Sequence, residues 1–364
     1  MSARIPADIV SVTDYWAHAQ ARLTPAAWAY FSAGAGDGSG VQANEAAFER
    51  YTIMPRVLKS LQGADTQITL AGRRYAHPLF LAPVAWQGWA HPEAEVATAL
   101  AAAALGSPMI VSMQTTTALE RLLAAAPQGR YWFQWYWQTD DNASQALLQQ
   151  CAQLGVEAIV LTVDAPVQGL RYAEQRAGQE RPGNLVTPHW SAFERPTSHM
   201  AQPGQPPLFG SPLLEQAPTW TQVQQFIAQS RLPVWLKGIL HPDDARLAVE
   251  IGAAGVIVSN HGGRQLAAAP AALDCLAEVV NAVQGQIPVL FDGGIRQGSD
   301  VFIALALGAQ AVCIGRPYIM GLAVGGAAGV AHVLHLLRTE LELTMALAGS
   351  ARCADIRAQQ LQRH

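Results

Sequence analysis

Eight short apolar runs recur along the chain: LFLAPVA (79–85), PMIVSM (108–113), YWFQWY (131–136), AIVLTVD (158–164), PVWLKGI (233–239), GVIVSN (255–260), PVLFDGG (288–294) and AVCIGRP (311–317). Stretches this short and this rich in Val, Ile and Leu read as buried strands. Apolar on both faces, they fit a parallel sheet that is covered on both sides. Helix-length segments separate them, and several end at a glycine just before the next strand: Gly106, Gly155, Gly252 and Gly308. Glycine accepts the left-handed conformation that closes a helix. Eight strand–helix units in series predict an α/β fold, a (β/α)8 TIM barrel, whose sites lie at the C-terminal ends of the strands.

The flanks break this rhythm. Residues 1–75 read as a helical, turn-rich N-terminal cap. Residues 172–218 hold eight prolines and little periodicity. An insertion of that length after the fourth strand reads as lid-like. It carries Trp190, Phe193 and Phe209 but no long apolar segment. The chain, residues 1–364, is expected to form one barrel domain.

Composition narrows the function classes. With 50% hydrophobic residues, 14% charged residues and a net charge of -4, the chain has ample core and no basic surplus, so nucleic acid is not an expected partner. Cys151, Cys275, Cys313 and Cys353 are far apart. That spacing predicts neither a disulfide framework nor a metal site, and it fits a reducing compartment. The start, MSARIPADIV, lacks the pattern of a signal peptide. The most apolar stretches, 97–113 and 321–337, are interrupted by Gly, Ser, Pro or His and read as buried elements, not membrane spans. A soluble, cytoplasmic protein is expected.

Chemistry gathers where the runs end. VSNHGGRQL (258–266) puts a potential base, His261, and a fixed cation, Arg264, on flexible backbone at a strand end. Together they suit an anion that must also lose a proton. Lys237, one of only two lysines, lies inside the fifth run. Other polar residues at strand ends are Ser112, Gln134, Tyr136, Thr162, Asp164, Ser259 and Asp292, with Arg171 soon after the fourth. DGGIRQG (292–298) and IGRP (314–317) each pair glycine with an arginine, Arg296 or Arg316. Loops after strands seven and eight are the usual phosphate site of such barrels, and arginine binds phosphate with two prongs. His91, His241, His332 and His335 fall on helix starts or faces and read as structural or surface residues.

These motifs, with AYFSAGAGD (29–37), LAPVAWQGWAHPE (81–93), LTVDAP (161–166) and ELELTMALAG (340–349), make the chain similar to the FMN-dependent α-hydroxy acid oxidase and dehydrogenase family, which includes glycolate oxidase, lactate oxidase and mandelate dehydrogenase. The resemblance implies FMN as cofactor and oxidation of an L-2-hydroxy acid to the 2-keto acid. It implies His261 as base with Asp164 as its partner, and Arg264 and Arg171 on the substrate carboxylate. Tyr30 and Tyr136 would bond the carboxylate or the reacting hydroxyl. Lys237, Ser112, Gln134, Thr162 and the backbone at Val84 and Ala85 would meet the flavin ring. Ser259 and Asp292 would meet the ribityl chain, and Gly294, Arg296, Gly315 and Arg316 the phosphate. A homotetramer is implied too, with oxygen or another carrier taking the electrons.

The chain also departs from the family. Ala267 stands where Asp is common after R-Q-L, and the signature after strand four is faint in RYAEQRAGQERPGN. Trp86, Gln114 and Gln168 stand where glycolate oxidase has Met, Trp and Leu, which predicts a larger, hydrogen-bonding substrate side chain and poor use of glycolate. Two alternatives are an enzyme like type 2 isopentenyl diphosphate isomerase and a non-catalytic FMN-binding barrel. The first lacks the His–Arg pair after strand six.

Overall fold

The computed structural model describes residues 5–178, 182–183, 185–190 and 203–364. All eight runs contribute to one closed parallel barrel: β1 (Leu79–Leu81), β2 (Met109–Ser112), β3 (Tyr131–Trp135), β4 (Ile159–Thr162), β5 (Val234–Ile239), β6 (Gly255–Val258), β7 (Val289–Asp292) and β8 (Ala311–Ile314). Neighbours pair in chain order. The barrel closes where Val312, Cys313 and Ile314 of β8 pair with Leu79, Phe80 and Leu81 of β1.

Side chains alternate along a strand, so every second residue points into the barrel. One inward layer is Phe80, Ile110, Trp132, Val160, Trp235, Ile257, Leu290 and Ala311, which share one buried core. Its rings interlock: the Trp132 centroid lies 4.8 Å from Trp235 and 5.2 Å from Phe80. This plug makes the barrel solid below the mouth. Two residues further along each chain the inward positions are Ala82, Ser112, Gln134, Thr162, Lys237, Ser259, Asp292 and Cys313. The interior therefore turns from apolar to polar in a single step of the pleat.

The flanks hold parts of the chain against that mouth. Helices Tyr15–Arg22, Pro25–Ser32 and Ser39–Ala46 precede the barrel. After Pro25–Ser32 the chain crosses the mouth, where Ala35 N–H donates to the Gly263 carbonyl (2.8 Å) and Gly36 N–H to that of Leu170 (2.7 Å). Tyr51–Ile53 pairs antiparallel with Leu361–Arg363, joining the two ends of the chain. Of the expected lid, Trp190 packs edge-on against Tyr136 at 5.6 Å. Phe209 is exposed, and Phe193 lies outside the described residues.

The helix Arg316–Ala348 is long and apolar enough to cross a membrane by length and composition, yet two thirds of its most apolar window is buried inside the fold (67%). Its backbone also leaves helical geometry at Gly325 and Gly326. The bend brings Gly321 and Gly329 together so closely that a Cβ on Gly329 would overlap the Gly321 carbonyl oxygen. Gly329→Ala should therefore lower stability by about 1–3 kcal/mol, the usual cost of overpacking. A thermal midpoint equal to wild type would show that the two halves do not depend on this contact.

Candidate active site

A cavity of about 370 Å³ opens at the C-terminal mouth of the barrel. Every site residue expected from sequence lines it except Asp164 and Ser259. Ser259 is wholly buried behind it and Asp164 lines an adjoining cavity, and both bond to His261 of the lining.

His261 follows β6 with φ +59°. That left-handed conformation costs a residue with a side chain roughly 1–2 kcal/mol. Two bonds hold it: its N–H donates to Ser259 Oγ (3.0 Å), and its Nδ1 lies 3.0 Å from Asp164 Oδ1. Asp164 reaches this position across Gly238, where any Cβ would collide with its side chain. Its second oxygen, Oδ2, is buried with no hydrogen-bond partner among the described residues. Burial pushes the Asp164 carboxyl up, but the attraction and hydrogen bond of His261, aided by Lys237, outweigh it and hold the pKa below the usual value. Asp164 is therefore an anion that fixes the imidazole through Nδ1 and leaves Nε2 to the cavity.

The Ser259 hydroxyl also accepts from Lys237 Nζ (3.0 Å) and donates to Asp292 Oδ2 (3.0 Å). Lys237 Nζ itself lies 2.7 Å from Asp292 Oδ2. Burial works against the ammonium, yet Asp292 and Asp164 raise its pKa above the ordinary lysine value, so it stays charged. Ser259 is wholly buried behind the wall, where it joins Lys237, Asp292 and the His261 backbone. On the opposite wall Gln134 accepts from Ser112 Oγ (3.2 Å) and donates to Thr162 Oγ1 (3.1 Å), which fixes its amide at the mouth.

Two arginines meet beside His261. Arg264 donates through Nη1 to the carbonyls of Tyr30 (2.6 Å) and Ala33 (2.8 Å), and through Nη2 to Glu174 Oε1 (2.9 Å). Arg171 donates to the Arg264 carbonyl (3.3 Å) and to the same Glu174 oxygen (3.3 Å). Burial above all, with the nearby Asp164 carboxylate, pushes the Tyr136 phenol up to about 12, so it keeps its proton and can donate.

The far end of the cavity is cationic. Arg296 pairs with Glu45 (2.6 Å). Arg316 is held by the carbonyls of Ser32, Gly262 and Ala33. Burial and repulsion from Arg264 and Arg296 pull the Arg316 guanidinium down to about 9. Such a cluster is short of negative charge, and a phosphate beside Gly294 and Gly315 would supply it. A ring system would then lie toward Lys237, Gln134 and the backbone at Val84 and Ala85. The residues present therefore fit FMN. A cationic end, with an imidazole held by a carboxylate and two guanidinium groups at the other, suits a phosphate-anchored barrel oxidoreductase.

Comparison with known proteins gives the family. The family model described as FMN-dependent dehydrogenase matches residues 19–363. An L-lactate oxidase of Roseobacter sp. (strain GAI101) is 44% identical over 347 residues, covering 95% of this chain and 93% of the relative. Glycolate oxidase 3 of Oryza sativa subsp. indica is 40% identical, covering 96% and 95%. A solved mandelate oxidase with (S)-2-phenylpropionate superposes with a TM-score of 0.87 at 38% identity, covering 98% of both chains. This chain belongs to the FMN-dependent dehydrogenase family and is an FMN-dependent enzyme of 2-hydroxy acid oxidation.

Sequence reading missed Glu174, Trp190 and Cys313 as parts of the site. Cys313 forms part of the floor, and burial pushes its thiol well up, so it stays neutral. Its signal was present, since it occupies the last inward position of β8. Lys237→Met should leave Asp292 buried without its cation and cost about 3–5 kcal/mol. Much of that should return in Lys237→Met/Asp292→Asn, measured by denaturant midpoint. Equal midpoints for the two variants would contradict a coupled pair.

Proposed function

We propose that the enzyme oxidises an L-2-hydroxy acid to its 2-keto acid and passes the electrons to oxygen. The observation that carries this reading is the meeting of His261, held by Asp164, with Arg264 and Arg171 in one cavity. Bound FMN supplies the two-electron acceptor. Arg264 has two of its five N–H donors uncommitted among the described residues, enough for a two-pronged hold on the substrate carboxylate. Arg171, Tyr30 and Tyr136 complete that hold and orient the hydroxyl. His261 Nε2 receives the proton, and Asp164 stabilises the imidazolium that forms. The substrate gives up two electrons and two protons in all. Lys237 would hold the flavin ring and supply a fixed positive charge beside it. Oxygen as acceptor is supported by relatives named L-lactate oxidase and glycolate oxidase.

The substrate's side chain meets a mixed wall. Gln114 is half-buried and Gln168 exposed, and both line the cavity with buried Trp86. The half-buried Gln114 amide favours a substituent that bonds it, and the exposed Gln168 amide can add a second bond. We propose a 2-hydroxy acid larger than glycolate with a hydrogen-bonding side chain, and a homotetramer whose contacts would cover exposed Leu343, Leu347, Val57 and Leu58.

Anaerobic mixing with a panel of L-2-hydroxy acids, followed by readmission of air, tests the reading. The flavin should bleach with each substrate and recolour promptly in air, with polar-substituted acids surpassing glycolate in catalytic efficiency. His261→Ala should retain FMN and bleach ~10²–10⁴-fold more slowly. Near-normal bleaching in that variant would refute the base, no bleaching in wild type would leave a binding barrel, and a preference for glycolate would refute the side-chain wall.

A further inference from the structure

The two arginines assigned to the substrate carboxylate already share an anion. Glu174 lies three residues after Arg171 on the short helix Tyr172–Arg176, and it is only 6% exposed. One of its oxygens, Oε1, accepts from Arg171 Nη1 at 3.3 Å and from Arg264 Nη2 at 2.9 Å. Both guanidinium groups are also tied to backbone: Arg264 to Tyr30 and Ala33, Arg171 to the Arg264 carbonyl. The pair is therefore fixed in place, and the substrate cannot rearrange it cheaply. Burial and the charge of Arg171 both act against the Arg264 guanidinium, and Glu174 offsets part of this.

Charge counting gives the consequence. Without Glu174 the clamp would present two cations to one carboxylate, and a dianion would match it best. With Glu174 the cluster of Arg171, Arg264 and Glu174 carries +2 - 1 = +1, which matches a single carboxylate. Like charges held within a few ångström in a largely buried site also repel strongly, so a built-in anion helps to keep the guanidinium groups side by side.

We infer that Glu174 is a positioning and specificity residue: it holds Arg171 and Arg264 together and sets the clamp to accept monoanionic 2-hydroxy acids while rejecting dianions at the carboxylate subsite. The inference rests on the reading that these arginines bind the substrate carboxylate. Glu174 touches neither reacting atom and acts through the arginines.

The test is titration of FMN-bound enzyme with sodium sulfate and, separately, sodium acetate at constant ionic strength, read by the shift of flavin absorbance. Wild type should bind the two anions with similar dissociation constants. Glu174→Gln keeps the side chain's size and removes its charge, and it should bind sulfate roughly tenfold or more tightly while acetate changes less; removal of a unit charge a few ångström away is worth at least this. Glu174→Asp keeps the charge and should retain the wild-type sulfate-to-acetate ratio, even if a shifted clamp slows flavin reduction. Arg264→Met should lose both anions. If Arg264→Met binds both anions as wild type does, the carboxylate clamp itself is wrong. If Arg264→Met loses them and Glu174→Gln keeps the wild-type ratio, the clamp stands and the inference about Glu174 fails. A strong preference for sulfate in wild type would overturn the inference without any variant, which covers the case of a Glu174→Gln protein that does not fold.

Discussion

The mouth of this barrel depends on one buried chain of polar contacts, running from Asp164 through His261 and Ser259 to Asp292 and Lys237. Each member is there because another makes its burial tolerable. Lys237 keeps its charge at 4% exposure because Asp292 and Asp164 face it. Asp164 stays ionised because His261 and Lys237 outweigh its own desolvation. His261 tolerates a left-handed backbone because Ser259 and Asp164 fix both its N–H and its ring. A buried ion pair of this kind is costly to break from one side, more than it is costly to build. The site is correspondingly stiff, and the His261 imidazole and backbone are fixed by contacts from the ends of two strands, β4 and β6.

The second constraint is the balance of charge around four arginines. Arg171 and Arg264 share Glu174, and Arg296 has Glu45. Arg316 is held by carbonyl oxygens alone among the described residues. The Ala33 carbonyl accepts from both Arg264 and Arg316. One residue of the N-terminal cap thus links Arg264 beside His261 to Arg316 at the other end of the cavity. An anion at either end relieves repulsion that the protein alone leaves in place.

Much of this was legible in the sequence, for a physical reason. The barrel follows from eight apolar runs, and within each run the pleat makes the last inward residue conspicuous when it is polar. Ser112, Gln134, Thr162, Lys237 and Asp292 stand out that way, since a polar side chain in a buried strand needs a purpose or a partner. Depth was not legible. Ser259 and Asp292 have the same periodicity, and only the path of the Lys237 side chain puts Ser259 behind the wall. Glu174 was missed because it lies in a segment without apolar periodicity, and its partner Arg264 is 90 residues away. The carbonyl partners of Arg316 at Ser32 and Ala33 are more remote still, and backbone acceptors carry no residue signature.

The buried chain is tested most directly at its centre. Ser259→Ala removes the hydroxyl that joins the His261 backbone to Lys237 and Asp292 while leaving every cavity-lining side chain in place. FMN affinity, measured by titrating apoprotein with FMN, should fall less than the reduction rate, because Ser259 is buried and reaches the cavity only through Lys237 and Asp292, which keep their own ion pair. The anaerobic rate of flavin reduction by a saturating L-2-hydroxy acid should fall roughly tenfold or more, since a displaced base loses its alignment. Weakened FMN binding with a normal reduction rate would contradict the account, showing Ser259 to be a cofactor contact and the position of His261 to be independent of the chain behind it.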